Sequence, residues 1–201
     1  MKIKNNASEE KEGEILQSLL NLDETCEIID NRIYFYSEIT ISKSLELNKN
    51  IRTITNTLLT RQILEECYDQ KIFLHINSIG GEIHAALSVM DTIVSNKIPI
   101  YTIIDGFCAS AASFLSVVGK KRYMSKNSFV LIHQCSSGVI GTYSEFVDKY
   151  QNMNEIMKTM KEIYLTYTKI PEKKLNSLLK QDLYLSSEDC LKYGIVDEII
   201  S

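Results

Sequence analysis

Three short stretches carry residues able to do chemistry. Ser110 stands in Gly106-Phe107-Cys108-Ala109-Ser110-Ala111-Ala112, where small neighbours let a strand turn sharply into a helix. A serine hydroxyl becomes a useful nucleophile when an adjacent base takes its proton, and the oxyanion that follows needs N–H donors already aimed at it. The N-terminus of a helix starting here would favour negative charge through its free N–H groups. His133 ends an apolar run and is the best-placed base; His75, inside a strand-like run, and His84, on the helix after it, are the other two histidines. Gly80-Gly81 is the third stretch, a turn in which backbone approaches a ligand closely and consecutive N–H groups can bind an oxyanion. Each also has a plain structural reading: a small residue in a packed helix, a histidine at a strand end, a turn that only starts a helix.

The elements that must position these residues follow from periodicity. Ile72 to Ile76 is an apolar run of strand length ending in Asn77-Ser78-Ile79-Gly80-Gly81. Ile83 to Val94 has helical spacing, Ile98 to Ile104 returns to a strand closed by Gly106, Ala109 to Val118 reads as a small-residue helix, and Ser128 to Ile132 is another buried strand ending at His133. Alternation of this kind implies right-handed β-α-β crossovers and a largely parallel sheet with covering helices. Chemistry in such sheets collects beyond strand C-termini. All three stretches sit there, which is a structural argument for one shared site.

Before this region, Glu27 to Ile41 suggests a strand, and Leu45 to Leu64 a helix with a break near Asn48 to Asn50. After it come a glycine-containing segment to Gly141, a long helix over about 142–168 and a short one from Pro171 to Leu179. Residues 1 to about 14 read as a mobile polar leader, followed by a short helix candidate from Ile15 to Leu22; a single folded domain is expected over 26–201, with 1–25 as leader.

Composition excludes several classes. The formal charge of -4 and the absence of a concentrated basic face argue against nucleic acid. Residues 1–29 carry three Lys and seven acids, so the remainder is balanced at 19 of each sign. Five dispersed cysteines without a C-x-x-C pair fit a reducing, cytoplasmic compartment. No apolar run approaches the roughly 18 residues of a membrane span. Gly80-Gly81 lacks the Lys-Ser/Thr of a phosphate loop, and the His and Cys residues show no metal-ligand spacing.

Taken in order, Ile76-Asn77-Ser78-Ile79-Gly80-Gly81, Gly106 to Leu115, and Val130-Leu131-Ile132-His133-Gln134 resemble the signature of the Clp protease proteolytic subunit family. The likeness continues through Gly141 to Glu145, Asp182 to Asp189 and Tyr193 to Ile199, covering about 30–200. The resemblance implies a ClpP/crotonase-like fold with a long handle helix, and serine endopeptidase activity on unfolded proteins or short peptides without a cofactor or metal. It places the nucleophile at Ser110, the base at His133, the orienting acid at Asp182, and oxyanion donors at the N–H groups of Gly80 and Ala111. It further implies a homo-oligomer, a heptameric ring single or doubled, fed by an AAA+ unfoldase, with Gln134 to Gly141 as the strand to which an extended peptide adds. Ile79 stands where the family has proline, Ala111-Ala112 where it has Met-Gly, and Gln181 where it has an arginine beside the catalytic aspartate. Rival readings are a catalytically silent ring subunit or phage-type assembly protein, a crotonase-like acyl-CoA enzyme, and a cysteine enzyme using Cys108 or Cys135.

Overall fold

A computed structural model describes residues 25–66 and 68–200. The polar leader and the helix candidate at Ile15 to Leu22 lie outside the described residues. The chain enters through an antiparallel hairpin, β1 (Thr25–Ile29) and β2 (Arg32–Tyr36), so the strand expected over 27–41 is in fact two. Asp30 turns the chain with φ 56, a left-handed conformation that short polar side chains tolerate, and Asn31 Nδ2 anchors the turn on Lys71 O at 2.8 Å.

Helix α1 (Ile41–Glu65) starts at Thr40, whose Oγ1 accepts from Lys43 N at 3.2 Å. It runs without the break expected at Asn48 to Asn50. Those asparagines reach sideways instead, Asn50 Nδ2 to Cys26 O at 3.2 Å and Asn48 Nδ2 to Ser88 Oγ at 3.3 Å. Then follow β3 (Ile72–Ser78), α2 (Ile83–Ser95), β4 (Ile100–Ala109), α3 (Ala112–Val117), β5 (Lys121–Ser125) and β6 (Phe129–Leu131). The last third holds α4 (Tyr143–Tyr167), α5 (Glu172–Leu178), β7 (Tyr184–Leu185), α6 (Ser187–Lys192) and β8 (Glu198–Ile200).

The strands form one eight-stranded sheet in the order β1-β2-β3-β4-β5-β8, with β6 pairing β4, and β7 pairing β6. Only β1–β2 and β6–β7 are antiparallel. On its edge away from β3, strand β4 serves two partners: Tyr101 to Ile104 pair with β5, and Phe107 to Ala109 pair with β6. Gly106 was expected to close this strand and does not. Side chains substitute for the interrupted ladder, Ser128 Oγ accepting from Gly106 N at 2.7 Å and Asn77 Oδ1 from Phe107 N at 3.2 Å. The following helix begins at Ala112 and not Ala109, because Ser110 takes a left-handed φ of 53 that no helix accommodates.

Ile33, Phe35, Ile72, Leu74, Ile76, Ile100, Ile104 and Met124 alternate onto one face and are buried with the apolar sides of α1 and α2. Each such side chain contributes about 2 kcal/mol of transfer free energy. The opposite face is a polar and aromatic layer. There His75 Nδ1 lies 2.6 Å from Asp105 Oδ2, and Arg32 Nη1 lies 2.9 Å from His75 Nε2. A guanidinium only donates, so Nε2 accepts from Arg32 and Nδ1 donates to Asp105. Tyr36 also donates to Asp105 Oδ2 at 2.9 Å. Burial pushes the Asp105 carboxyl up, but the hydrogen bonds from His75 and Tyr36 outweigh it and hold the group below the usual carboxylate range.

Gln134 to Gly141, expected as a strand, is irregular backbone in the single chain. A strand needs a ladder partner, and among the described residues this segment has none beyond Gln134 N, which donates to Leu179 O at 2.8 Å.

Candidate active site

Ser110 sits at the junction of β4 and α3, on the parallel sheet's C-terminal side. Its left-handed backbone costs about 1–2 kcal/mol for a residue with a Cβ. Neighbours fix it: Ser110 N donates to Leu131 O at 2.8 Å, and Ser110 O accepts from Ser113 N at 3.1 Å and from Ser113 Oγ at 2.6 Å. The turn therefore presents the serine to the cleft rather than winding it into the helix.

His133 leaves β6, the strand that pairs with the end of β4. The β6–β7 register explains the acid. Val130 faces Leu185 and Leu131 faces Tyr184; carrying that antiparallel register two residues on sets His133 opposite Asp182. Their side chains meet there, Nδ1 to Oδ1 at 3.2 Å. The pair is open to solvent, with His133 31% and Asp182 81% exposed at the side chain. When Asp182 accepts from Nδ1–H, Nε2 is left with a lone pair for a proton. Among the described residues, no hydrogen bond joins Ser110 Oγ to His133.

Both residues line one cleft of about 370 Å³. Ile83, Phe114 and Met160 give it an apolar lining, and Glu82 is the one carboxylate among its described lining residues. Gly81 and Ala111 line it as well. Residue 39 makes a parallel bridge around Gly81, Ile39 N donating to Gly80 O at 2.7 Å and Glu82 N to Ile39 O at 2.8 Å. In a parallel bridge the enclosed residue points its own N–H away from the partner. Gly81 N and Ala111 N have no acceptor among the described residues, whereas Gly80 N donates to Ser78 Oγ at 3.2 Å. Glycine is required at both positions of the turn: a Cβ on Gly80 would lie 2.7 Å from Ala109 O and 2.8 Å from Ser110 Cβ, and one on Gly81 would lie within 3 Å of the Ile39 backbone.

The remaining candidates lie elsewhere or are chemically poor. His75 is engaged in the sheet-face network, and His84 lines a separate groove with Ile41, Ser44 and Leu45. Cys108 is fully buried and burial drives its thiol up; Cys135 lines the cleft, but burial raises it too, so neither is a thiolate nucleophile. Glu82, Ser113 and Tyr164 also bear on the site and are not singled out in the sequence. Gly81 was visible as half of a glycine pair, whereas Tyr164 looked like one more apolar position on the long helix.

A largely parallel α/β sheet gathers a nucleophile-type turn, a histidine and a carboxylate past its strand ends. The Clp protease family model matches residues 9–201, and the chain belongs to that family, with its ClpP/crotonase-like fold. The match begins further toward the N-terminus than the motifs read above. The chain is also 34% identical over 134 residues to the ATP-dependent Clp protease proteolytic subunit of Deinococcus radiodurans, covering 66% of this chain and 66% of that protein. No helix among the described residues is long and apolar enough to cross a membrane.

Proposed function

We propose that this chain is a serine endopeptidase subunit that cleaves unfolded proteins or short peptides with Ser110 as nucleophile, His133 as general base and Asp182 as the acid orienting it. The observation that carries this reading is the β6–β7 register, which sets a His–Asp pair beside a serine held in a left-handed turn. His133 Nε2 takes the Ser110 proton as Oγ attacks the carbonyl, then gives it to the leaving amine; Asp182 keeps the proton on Nδ1. The serine–histidine contact closes on substrate binding or assembly, as catalytic hydrogen bonds commonly do. The oxyanion takes the unpartnered N–H groups of Ala111 and Gly81; Gly80, the donor implied by family resemblance, serves this role only if its N–H leaves Ser78.

The subunit works inside a homo-oligomeric ring, heptameric and single or double, in the cytoplasm. Support comes from Ile140, Tyr143, Phe146 and Tyr150, large apolar side chains left exposed at the start of α4, a patch that asks for a partner surface. An AAA+ unfoldase feeds the ring, a reading supported by the ATP dependence in the relative's name. A fluorophosphonate probe should label the assembled protein on Ser110, located by peptide mass spectrometry. Equal labelling of the Ser110→Ala protein would sink the assignment.

The cleft lining also bears on substrate choice. An apolar wall beside a lone carboxylate suits peptides with an apolar side chain at the scissile carbonyl and a Lys or Arg nearby. Glu82→Gln keeps an acceptor for Ile41 N, now 3.3 Å from Oε1, and removes only the charge. It should lower kcat/KM for a Lys-bearing peptide relative to its Glu-bearing counterpart by about threefold at low salt, the size expected of an exposed charge pair. An unchanged ratio between the two peptides would rule out this role.

A further inference from the structure

Two hydroxyl groups outside the triad tie the nucleophile turn to the long helix. Ser113, in the first turn of α3, gives its single hydroxyl proton to Ser110 O at 2.6 Å. The 2.6 Å contact between Ser113 Oγ and Tyr164 Oη must then run the other way, with Tyr164 donating, because a hydroxyl has one proton to give. The result is a directional chain from Tyr164 through Ser113 to the Ser110 carbonyl. Both side chains are 0% exposed, so no water competes. In such surroundings each hydrogen bond polarises the next. Burial raises the Tyr164 phenol, which keeps it a donor throughout the working pH range. Its ring packs on Phe114, centroids 5.5 Å apart, and Phe114 lines the cleft.

What this chain controls follows from peptide geometry. The Ser110 C=O and the Ala111 N–H belong to one planar trans unit and point in opposite directions. Holding the carbonyl toward Ser113 and α4 aims the Ala111 N–H away from them, and that N–H has no acceptor among the described residues at a position lining the cleft. We propose that Ser113 and Tyr164 are positioning residues that aim the Ala111 N–H at the oxyanion of the reaction. The proposal rests on the serine-peptidase reading above. It assigns α4 a part in catalysis without any α4 residue touching substrate.

Losing a whole oxyanion donor costs about 10²–10³ in kcat; losing its aim should cost less. Tyr164→Phe is therefore expected to lower kcat about tenfold with KM unchanged, and to weaken inhibition by a peptide aldehyde, which forms a tetrahedral adduct, by a similar factor. Binding of a non-reactive product peptide should not change. Because Tyr164 acts through Ser113, the double variant Ser113→Ala/Tyr164→Phe should be no slower than Ser113→Ala alone. It also leaves no unpaired buried hydroxyl, so it remains a folded test if Tyr164→Phe is unstable. A lowered melting temperature with wild-type kcat and aldehyde affinity, or losses that multiply in the double variant, would overturn the proposal. The two levels separate cleanly: absence of fluorophosphonate labelling in the wild type defeats the peptidase reading, while normal labelling with normal Tyr164→Phe kinetics defeats only this one.

Discussion

Replacing His133 with alanine should lower peptide hydrolysis about 10⁶-fold, and Ser110→Ala should do the same. The two losses should not multiply, since base and nucleophile act in one proton transfer and removing either removes the whole step. The double variant is expected within about threefold of each single one, the residue being binding and oxyanion stabilisation. Imidazole added to the His133→Ala protein should restore part of the activity, and none to Ser110→Ala. Asp182 should behave differently. At 81% exposure its removal lets water accept from Nδ1–H, so Asp182→Asn should cost about a hundredfold, well below the 10⁴ typical when a buried acid is changed. Steady-state kcat/KM on a fluorogenic peptide decides all of these. Near-normal activity in His133→Ala would remove the base from the scheme, and near-normal activity in Asp182→Asn would leave His133 oriented by Asp189 or by no acid at all.

Much of this site could be read from sequence because its parts lie at strand ends, and strand ends are marked by local chemistry. Gly80-Gly81 after Ile72 to Ile76 announces a turn, and the structure has one there, packed so closely on the Ala109–Ser110 and Ile39 segments that a Cβ would clash. His133, at the end of an apolar run, lies just past strand β6 for the same reason. Asp182 carried no such local signal. It reaches His133 only through the register of a two-residue strand, β7, which no periodicity could reveal, and it entered through family resemblance alone.

The misreadings share a cause. Gly106 and Asn48 to Asn50 are residues that usually end elements, yet here distant groups engage them: the Ser128 and Asn77 side chains accept from the β4 backbone, and the Cys26 carbonyl and Ser88 hydroxyl accept from the Asn50 and Asn48 side chains of α1. Long-range hydrogen bonds overrode local preference. The same limit hid the positioning role of Tyr164. On a helical wheel it belongs with Met160 and Ile163, all three buried, and only the fold brings its hydroxyl to Ser113. Strand β5 was missed outright, since Lys-Arg-Tyr-Met-Ser buries only Met124 and offers too little apolar alternation to be seen.

That inconspicuous strand carries a residue, Arg122, whose loss should destabilise the fold strongly. Arg122 sends Nε to Asp197 Oδ2 at 3.0 Å and Nη2 to Oδ1, and its Nη1 donates to Tyr167 O and, at 2.8 Å, to Gly194 O. With a side chain only 12% exposed, it joins β5 to the end of α4, the turn after α6 and the approach to β8. Arg122→Ala leaves a carboxylate and two carbonyls without these donors and should cost about 3 kcal/mol, or a melting temperature lower by about 8 °C. Arg122→Lys should recover little, because an ammonium cannot serve a forked carboxylate and two carbonyls together. The Arg122 hydrogen bonds hold the Asp197 carboxyl below its usual range, so its contribution is present above about pH 4 and is lost as pH falls through the lowered native value. Denaturant unfolding at pH 7 and pH 3 should therefore show the wild type and Arg122→Ala converging at the lower pH. A penalty under about 1 kcal/mol at pH 7 would show that the clamp is replaced by water. Tyr167 lies one turn beyond Tyr164, so Arg122→Ala should also lower kcat in any protein that remains folded, joining the stability of this corner to the aim of the nucleophile turn.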